Sequence, residues 1–338
     1  MTTLTYLEAA VVGLVQGVTE LFPISSLGHN VLIPALMGGS WAADLNVAEP
    51  ESPYLAFIVG LHVATAIALL VYFWRDWVRI IGGFFSSLRD RRVETADQRL
   101  AWMIVLATIP VGLVGLVAEH PFRVIFGKPI VAAVFLAVNG LILIAGERYR
   151  SRASLAADKR AAVSRQAELV MAGGRPAFPP GPGQPERGQP ERGQPERDPE
   201  EADAIASDRR VSVVGYGKAI VIGSSQILAL LAGISRDGVT MVTGMARGLS
   251  REDAARFAFL LSTPVILAAG VLKIPDLFGP LGNGIHGQIL VGSVLSFVGA
   301  YFSVRFLVRY LRTRTLTPFG IYCLIAGLAS VVYLGFIK

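Results

Sequence analysis

Apolar residues run almost without a break over 54–74, 101–118, 129–146, 213–231, 255–275, 288–308 and 316–337. Each run approaches the roughly 20 residues an α-helix needs to cross a bilayer. Apolar and polar positions do not alternate at period two, which argues against an outer-membrane barrel. The pattern predicts an all-α, polytopic membrane protein. Composition agrees, because only 17% of the 338 residues are charged, against about 25% in soluble domains. The single cysteine, Cys323, falls in the last run, so no disulfide framework is expected. Met1-Thr-Thr-Leu-Thr-Tyr6 lacks a basic region and a small-residue cleavage site, and is not read as a signal peptide.

Charge sets the expected orientation. The net charge is +6, but it sits in loops between spans and is no evidence for nucleic acid. No Lys or Arg precedes Arg75, so the first 53 residues read as external under the positive-inside rule. Arg75, Arg79, Arg89, Arg91, Arg92 and Arg99 place the next loop inside. The arginine-rich 148–212, Arg247 to Arg256, and Arg309 to Arg314 are internal by the same rule, whereas 119–128 and 276–286 are external. The basic loops thus predict a multi-pass membrane protein with these segments on the inner side.

Between two hydrophobic halves, about 150–210 is rich in proline and mixed charge and repeats Gly183-Gln-Pro-Glu-Arg187 in three tandem copies. Such composition cannot bury enough apolar surface to order itself. The expected division is a first membrane repeat at 1–148, a disordered cytoplasmic linker at 149–212 with room for a short helix at 153–170, and a second membrane repeat at 213–338. Deleting Gly181 to Asp198 is therefore expected to leave membrane insertion and activity unchanged. Loss of either on deletion, measured by membrane fractionation and phosphate release, would show that the segment packs on the membrane domain.

The halves carry related polar turns 210 residues apart. Gln16-Gly-Val-Thr-Glu20-Leu-Phe-Pro-Ile-Ser25-Ser26-Leu-Gly28 aligns with Gln226-Ile-Leu-Ala-Leu230-Leu-Ala-Gly-Ile-Ser235-Arg236-Asp237-Gly238, sharing Gln, Leu, Ile, Ser and Gly. Charge places both ends of 1–40 outside and both ends of 213–248 inside, so each forms a hairpin that dips in from its own side. Hairpin plus three spans, repeated with opposite orientation, is an inverted-topology repeat of the kind found in secondary transporters. Irregular backbone at membrane depth is tolerated where protein buries it or a wet cavity meets it.

The turns supply complementary chemistry. Gln16 and Glu20, four residues apart, share a helix face, and Pro23 ends that helix. Ser25 and Ser26 stand where they can cap a return helix beginning near Gly28, whose N-terminus suits phosphate. His29 lies in its first turn, placed to act as acid or base. In the second copy Arg236, whose planar fork suits a diphosphate, follows Ser235, with Thr240 as a further hydroxyl donor. Asp237 beside it also permits an internal charge pair with no ligand. His62, inside the span 54–74, fits packing as well as function. Ser250 and Asp253 read as the capped start of a helix.

Gln16 and Glu20, Pro23-Ile-Ser-Ser-Leu-Gly-His29, Gly233-Ile-Ser-Arg-Asp-Gly-Val-Thr240, His62 and Arg256-Phe-Ala-Phe-Leu-Leu-Ser-Thr-Pro264 together resemble the undecaprenyl-diphosphatase family, also called the bacitracin-resistance proteins. The likeness spans both hydrophobic halves and omits the linker. It implies hydrolysis of undecaprenyl diphosphate to undecaprenyl phosphate and phosphate, which recycles the lipid carrier of cell-wall synthesis. It also implies an externally facing site built from two re-entrant hairpins and a requirement for a divalent cation, Mg²⁺ or Ca²⁺; Glu20, with Gln16, either binds that metal or accepts a proton. A homodimer is left open. Three residues depart from the family pattern. Leu27 stands for threonine, Ala232 for proline and Asp237 for the second serine, and a carboxylate beside Arg236 is expected to weaken its grip on a dianion.

The combined expectation is a phosphatase using Glu20, Ser26, His29 and Arg236 for chemistry, with Gln16, Ser25, Gly28, Ser235, Thr240 and His62 around the lipid diphosphate. Either Ser26 or His29 is the nucleophile, and the other moves protons. The alternative is a flippase for the polyprenyl phosphate, since inverted repeats also suit alternating access.

Overall fold

A computed structural model describes residues 4–45, 53–126, 128–171, 199–279 and 282–337. Among these residues the secondary structure is helical throughout, with no strand. The helices are α1 (Tyr6–Leu21), α2 (Ser26–Met37), α3 (Gly39–Asp44), α4 (Pro53–Tyr72), α5 (Trp74–Asp90), α6 (Ala96–Phe126), α7 (Pro129–Met171), α8 (Pro199–Ser212), α9 (Tyr216–Ser224), α10 (Arg236–Ala246), α11 (Arg251–Phe278), α12 (His286–Thr313) and α13 (Thr317–Val332). A 3-10 turn, Ser225–Leu230, joins α9 towards α10. Stretches within α6, α7, α11, α12 and α13 onward are long and apolar enough to cross a membrane, matching five of the seven expected runs.

The other two runs differ in an informative way. α4 is followed after Phe73 by an 85° bend into α5, so the internal loop expected after residue 74 is largely helix. Trp74, Val78, Ile81, Phe85 and Leu88 are exposed along one side of α5, at spacings that share a helix face. That is the pattern of a helix lying in the membrane interface. The run 213–231 is broken, and α8 meets α9 at a 101° bend. α9 has 9 residues before its 3-10 turn and α10 has 11, lengths of roughly 14 and 17 Å at 1.5 Å per residue against a hydrocarbon core of about 30 Å. α1 and α2, of 16 and 12 residues, reach roughly 24 and 18 Å. Each pair is a helical hairpin with a broken tip.

The hairpins exchange partners across the halves: α1 packs along α12 and α9 along α6. Small residues permit both contacts. A Cβ on Gly13 would collide with the backbone of Gly292, and one on Gly223 with that of Ala107. Gly13 and Gly223 each stand three residues before the repeated glutamine, so the two close approaches are the same contact in either copy. Without a hydrophobic drive between helices in lipid, such backbone proximity supplies the van der Waals attraction.

The linker is shorter than expected. α7 continues unbroken from the span to Met171, because the Ala-rich stretch after Gly146 contains neither proline nor glycine to stop it. α8 covers the other end. Pro199 opens it, Glu200 and Glu201 lie in its first turn and Arg209 and Arg210 in its last, the arrangement favoured by the helix dipole. Residues 172–198, including the pentapeptide copies, lie outside the described residues.

α8 is held by charge rather than apolar area. Asp208, 1% exposed, accepts from Arg79 at 2.5 Å and from Arg256 at 2.8 Å. Arg79 also reaches Asp76 and Asp97, and Arg256 reaches Asp76. Arg210 donates to both oxygens of Asp253. Nearer the start of α8, Glu200, Glu201 and Asp203 pair with Arg309, Arg75 and Arg312. The basic segments assigned to the interior therefore gather at one end of the bundle. Buried ions persist only with such complete pairing.

Candidate active site

Pro23 and Ser25 make the first hairpin tip. Ser25 adopts φ 70°, in the left-handed region that a non-glycine residue enters at a cost. Its Oγ accepts from the N–H of Gly28 at 3.2 Å and so caps α2. The second tip repeats the cap: Ser235 Oγ accepts from the N–H of Gly238 at 3.1 Å. The tips meet through small residues. A Cβ on Gly28 would lie 2.9 Å from the Cα of Gly233, and one on Gly238 would lie 3.3 Å from the Cβ of Pro23.

One side chain ties the tips together. Asn139 of α7 is fully buried; its Nδ2 donates to the carbonyl of Pro23 at 2.9 Å, and its Oδ1 accepts from the N–H of Ser235 at 3.0 Å. A single amide thus sets the register of two hairpins from opposite halves. Asn139 was not among the expected site residues, though a lone carboxamide within the apolar run 129–146 was the available signal.

The junction brings Glu20 and Arg236 into contact, 216 residues apart in sequence. Arg236 Nη2 donates to Glu20 Oε1 at 2.5 Å. Ser26 Oγ donates to Glu20 Oε2, as does Gln16 Nε2 at 2.8 Å. Gln16 Oε1 in turn accepts from Asn30 Nδ2 at 2.6 Å. His62 Nδ1 is 2.8 Å from the carbonyl of Ile58; a carbonyl only accepts, so this nitrogen carries the proton. His62 Nε2 then offers its lone pair to Gln16 Nε2 at 3.4 Å, and stands 3.8 Å from Glu20 Oε2. Gln16, Glu20, Ser26, His62 and Arg236 therefore form one connected cluster.

The remaining expected residues are placed differently. The hydroxyls of Ser25 and Ser235 are committed to caps, and Thr240 donates to the carbonyl of Arg236 at 2.7 Å within α10. Gly28 acts through close approach. His29 bonds outside the cluster: Nδ1 is 2.7 Å from the carbonyl of Ser25, and Nε2 is 2.8 Å from the hydroxyl of Tyr322 on α13. Asp237 is fully buried, accepts from Ser262 Oγ and lies 3.8 Å from Arg236 Nε. Arg236 therefore stands between two carboxylates, with Glu20 bonded and Asp237 adjacent. Among the described residues no group of three or more His, Cys, Asp or Glu is arranged to hold a metal.

Chemically, a hydroxyl donating to a carboxylate that a third group orients is the arrangement of an activated nucleophile and its base. A guanidinium on the same carboxylate adds a donor fork suited to phosphate oxygens.

Comparison with known proteins gives the lineage. An undecaprenyl-diphosphatase of Mycolicibacterium paratuberculosis is 58% identical over 331 residues, covering 98% of either chain. Undecaprenyl-diphosphatase 2 of Frankia alni is 53% identical over 98% of either chain. Undecaprenyl-diphosphatase 2 of Burkholderia lata is 38% identical over 92% of this chain and 91% of its own. The family model described as bacitracin resistance protein BacA matches residues 9–173 and 196–329, so both hairpin tips lie within the match and 174–195 outside it. The chain belongs to the BacA family of bacitracin resistance proteins.

Proposed function

We propose that this chain is an integral membrane phosphatase that hydrolyses undecaprenyl diphosphate to undecaprenyl phosphate and phosphate, recycling the lipid carrier of cell-wall synthesis. The observation that carries the reading is the contact of Ser26 and Arg236 with one carboxylate, Glu20, where two hairpin tips meet. The relatives' names agree on this activity, and nothing favours the flippase alternative over it.

Ser26 Oγ attacks the terminal phosphorus while Glu20 takes its proton, and undecaprenyl phosphate departs. Water then cleaves the seryl phosphate to release inorganic phosphate, with His29 moving the proton. Arg236 and the free N–H groups at the start of α2 hold the phosphoryl oxygens. Ser26 is preferred to His29 as nucleophile because its hydroxyl already donates to a carboxylate, whereas the basic nitrogen of His29 is committed to Tyr322. The lipid reaches the site sideways from the bilayer, and the site faces the external side of the bacterial inner membrane, on the charge rule alone.

A divalent cation fits this donor set in a limited way. Mg²⁺ commonly sits on one or two carboxylates, substrate phosphates and waters rather than in an all-protein cage. Glu20 would hold it, with Gln16 in reserve. Bound there, the ion supplies charge neutralisation for the diphosphate. Purified protein given undecaprenyl diphosphate with Mg²⁺ or Ca²⁺ is expected to release phosphate, and Ser26→Ala is expected to abolish it. No release from any polyprenyl diphosphate, alongside lipid movement in vesicles that survives Ser26→Ala, would instead establish a transporter.

A further inference from the structure

Tyr322 contacts the site from the last helix. α13 grips the first hairpin tip with two neighbouring residues: Cys323, fully buried, lies 3.4 Å from Asn139 Nδ2 and 4.0 Å from the carbonyl of Pro23, and Tyr322 reaches His29. The phenol and imidazole rings stack at 5.8 Å between centroids with 7° between planes. His29 Nδ1 faces the carbonyl of Ser25, which can only accept, so Nδ1 carries the proton and Nε2 the lone pair. The hydroxyl of Tyr322, 2.8 Å away, donates to that lone pair.

We propose that Tyr322 is a positioning residue for the reaction, setting the direction of His29 and the environment of its Nε2, while the carbonyl of Ser25 keeps the proton on Nδ1. Ser26 and His29 are three residues apart in the first turn of α2 and so share a face. The imidazole needs no main-chain movement to serve a water attacking phosphorus on Ser26. What it needs is an unprotonated nitrogen held in a fixed direction, and both hydrogen bonds and the stack hold Nε2 so. A partner on one ring nitrogen decides what the other can do. In the hydrolytic step Nε2 exchanges the Tyr322 hydroxyl for the water. It accepts the water's proton as the water oxygen bonds to phosphorus, then returns a proton to Ser26 Oγ as the P–Oγ bond breaks.

The kinetic consequence rests on the phosphatase reading; the spectroscopic one rests on the geometry alone. Tyr322 is 46% exposed, and Tyr322→Phe keeps the ring while removing one oxygen, so the fold is not at risk. The variant is expected to lose about tenfold in kcat with KM within about twofold, part of the roughly 10²–10⁴ that a placed acid or base contributes. In a His29→Gln background the same change is expected to cost nothing further. Nitrogen chemical shifts of labelled histidine, assigned by the His29→Gln variant, should report Nδ1 protonated in both proteins and an Nε2 signal that moves in Tyr322→Phe as its hydrogen bond is lost. A kcat within twofold of wild type, an equal loss without His29, or an unmoved Nε2 signal would each overturn the assignment. Should the wild type release no phosphate, the phosphatase reading fails and the Nε2 shift decides the Tyr322 question by itself.

Discussion

Glu20→Gln and Arg236→Lys are each expected to lower kcat/KM for phosphate release by about 10²–10³-fold, the loss typical of removing one donor or charge aimed at a transition state. Glu20 accepts from Arg236, Ser26 and Gln16 at once. Glu20→Gln leaves a group of the same shape that cannot take the proton of Ser26. Arg236→Lys keeps the charge but loses the planar fork that can hold Glu20 and a phosphate oxygen together. Because both act on the same oxygens, the double variant should be little worse than either single one, as for residues that work as a unit. Steady-state phosphate release in detergent, with thermal melting as a control for folding, checks this. Losses that multiply would place the two residues in separate sites and end the paired-tip mechanism.

Asn139→Leu is expected to cost about 10²-fold in kcat/KM although Asn139 touches neither Glu20 nor Arg236, since a misplacement near 1 Å can carry that penalty. Leucine matches the amide in size but offers nothing to the carbonyl of Pro23 or the N–H of Ser235. Each buried group left unpaired costs about 1–3 kcal/mol, which the hairpin tips can relieve only by moving apart. Asn139→Asp should not restore activity. Its carboxylate can still accept from Ser235, but it has no donor for Pro23 and places an anion against that carbonyl. Melting temperature should fall in both variants while membrane insertion persists. An Asn139→Leu enzyme with more than half the wild-type rate would show that the tips keep their register without the amide.

Asp237 shows how a neighbour in sequence can take a second partner in the fold. Beside Arg236 in the chain, it was expected to compete for the guanidinium and weaken it toward phosphate. In the fold it turns to Ser262 of α11 and stays 3.8 Å from Arg236 Nε, while the short bond of Arg236 goes to Glu20. Successive residues on a helix point about 100° apart, so adjacency in sequence does not make the two side chains each other's first partner.

What the sequence determined by itself were the properties written locally. The apolar runs, the absence of period-two alternation, the positions of arginines and the repeated Gln…Ser-x-x-Gly turn are each contained in a short window, and they were enough for an all-helical membrane chain with two broken hairpins. Glu20, Ser26 and Arg236 were legible as well, because polar groups are too costly in apolar surroundings to be there without purpose. The paired turns also implied that Glu20 and Arg236 share one site, as they do, but tertiary structure decided the remaining contacts. It turned His29 toward Tyr322 and away from Glu20, joined the hairpin tips through Asn139, and committed the hydroxyls of Ser25 and Ser235 to caps. It also made a packed helix of 199–212, whose polar composition argues for disorder until Arg79 and Arg256 close on Asp208 from α5 and α11. The physical reason is the same each time. A hydrogen bond or ion pair needs a partner at a set distance and angle, and when that partner lies a hundred or more residues away no local pattern records it.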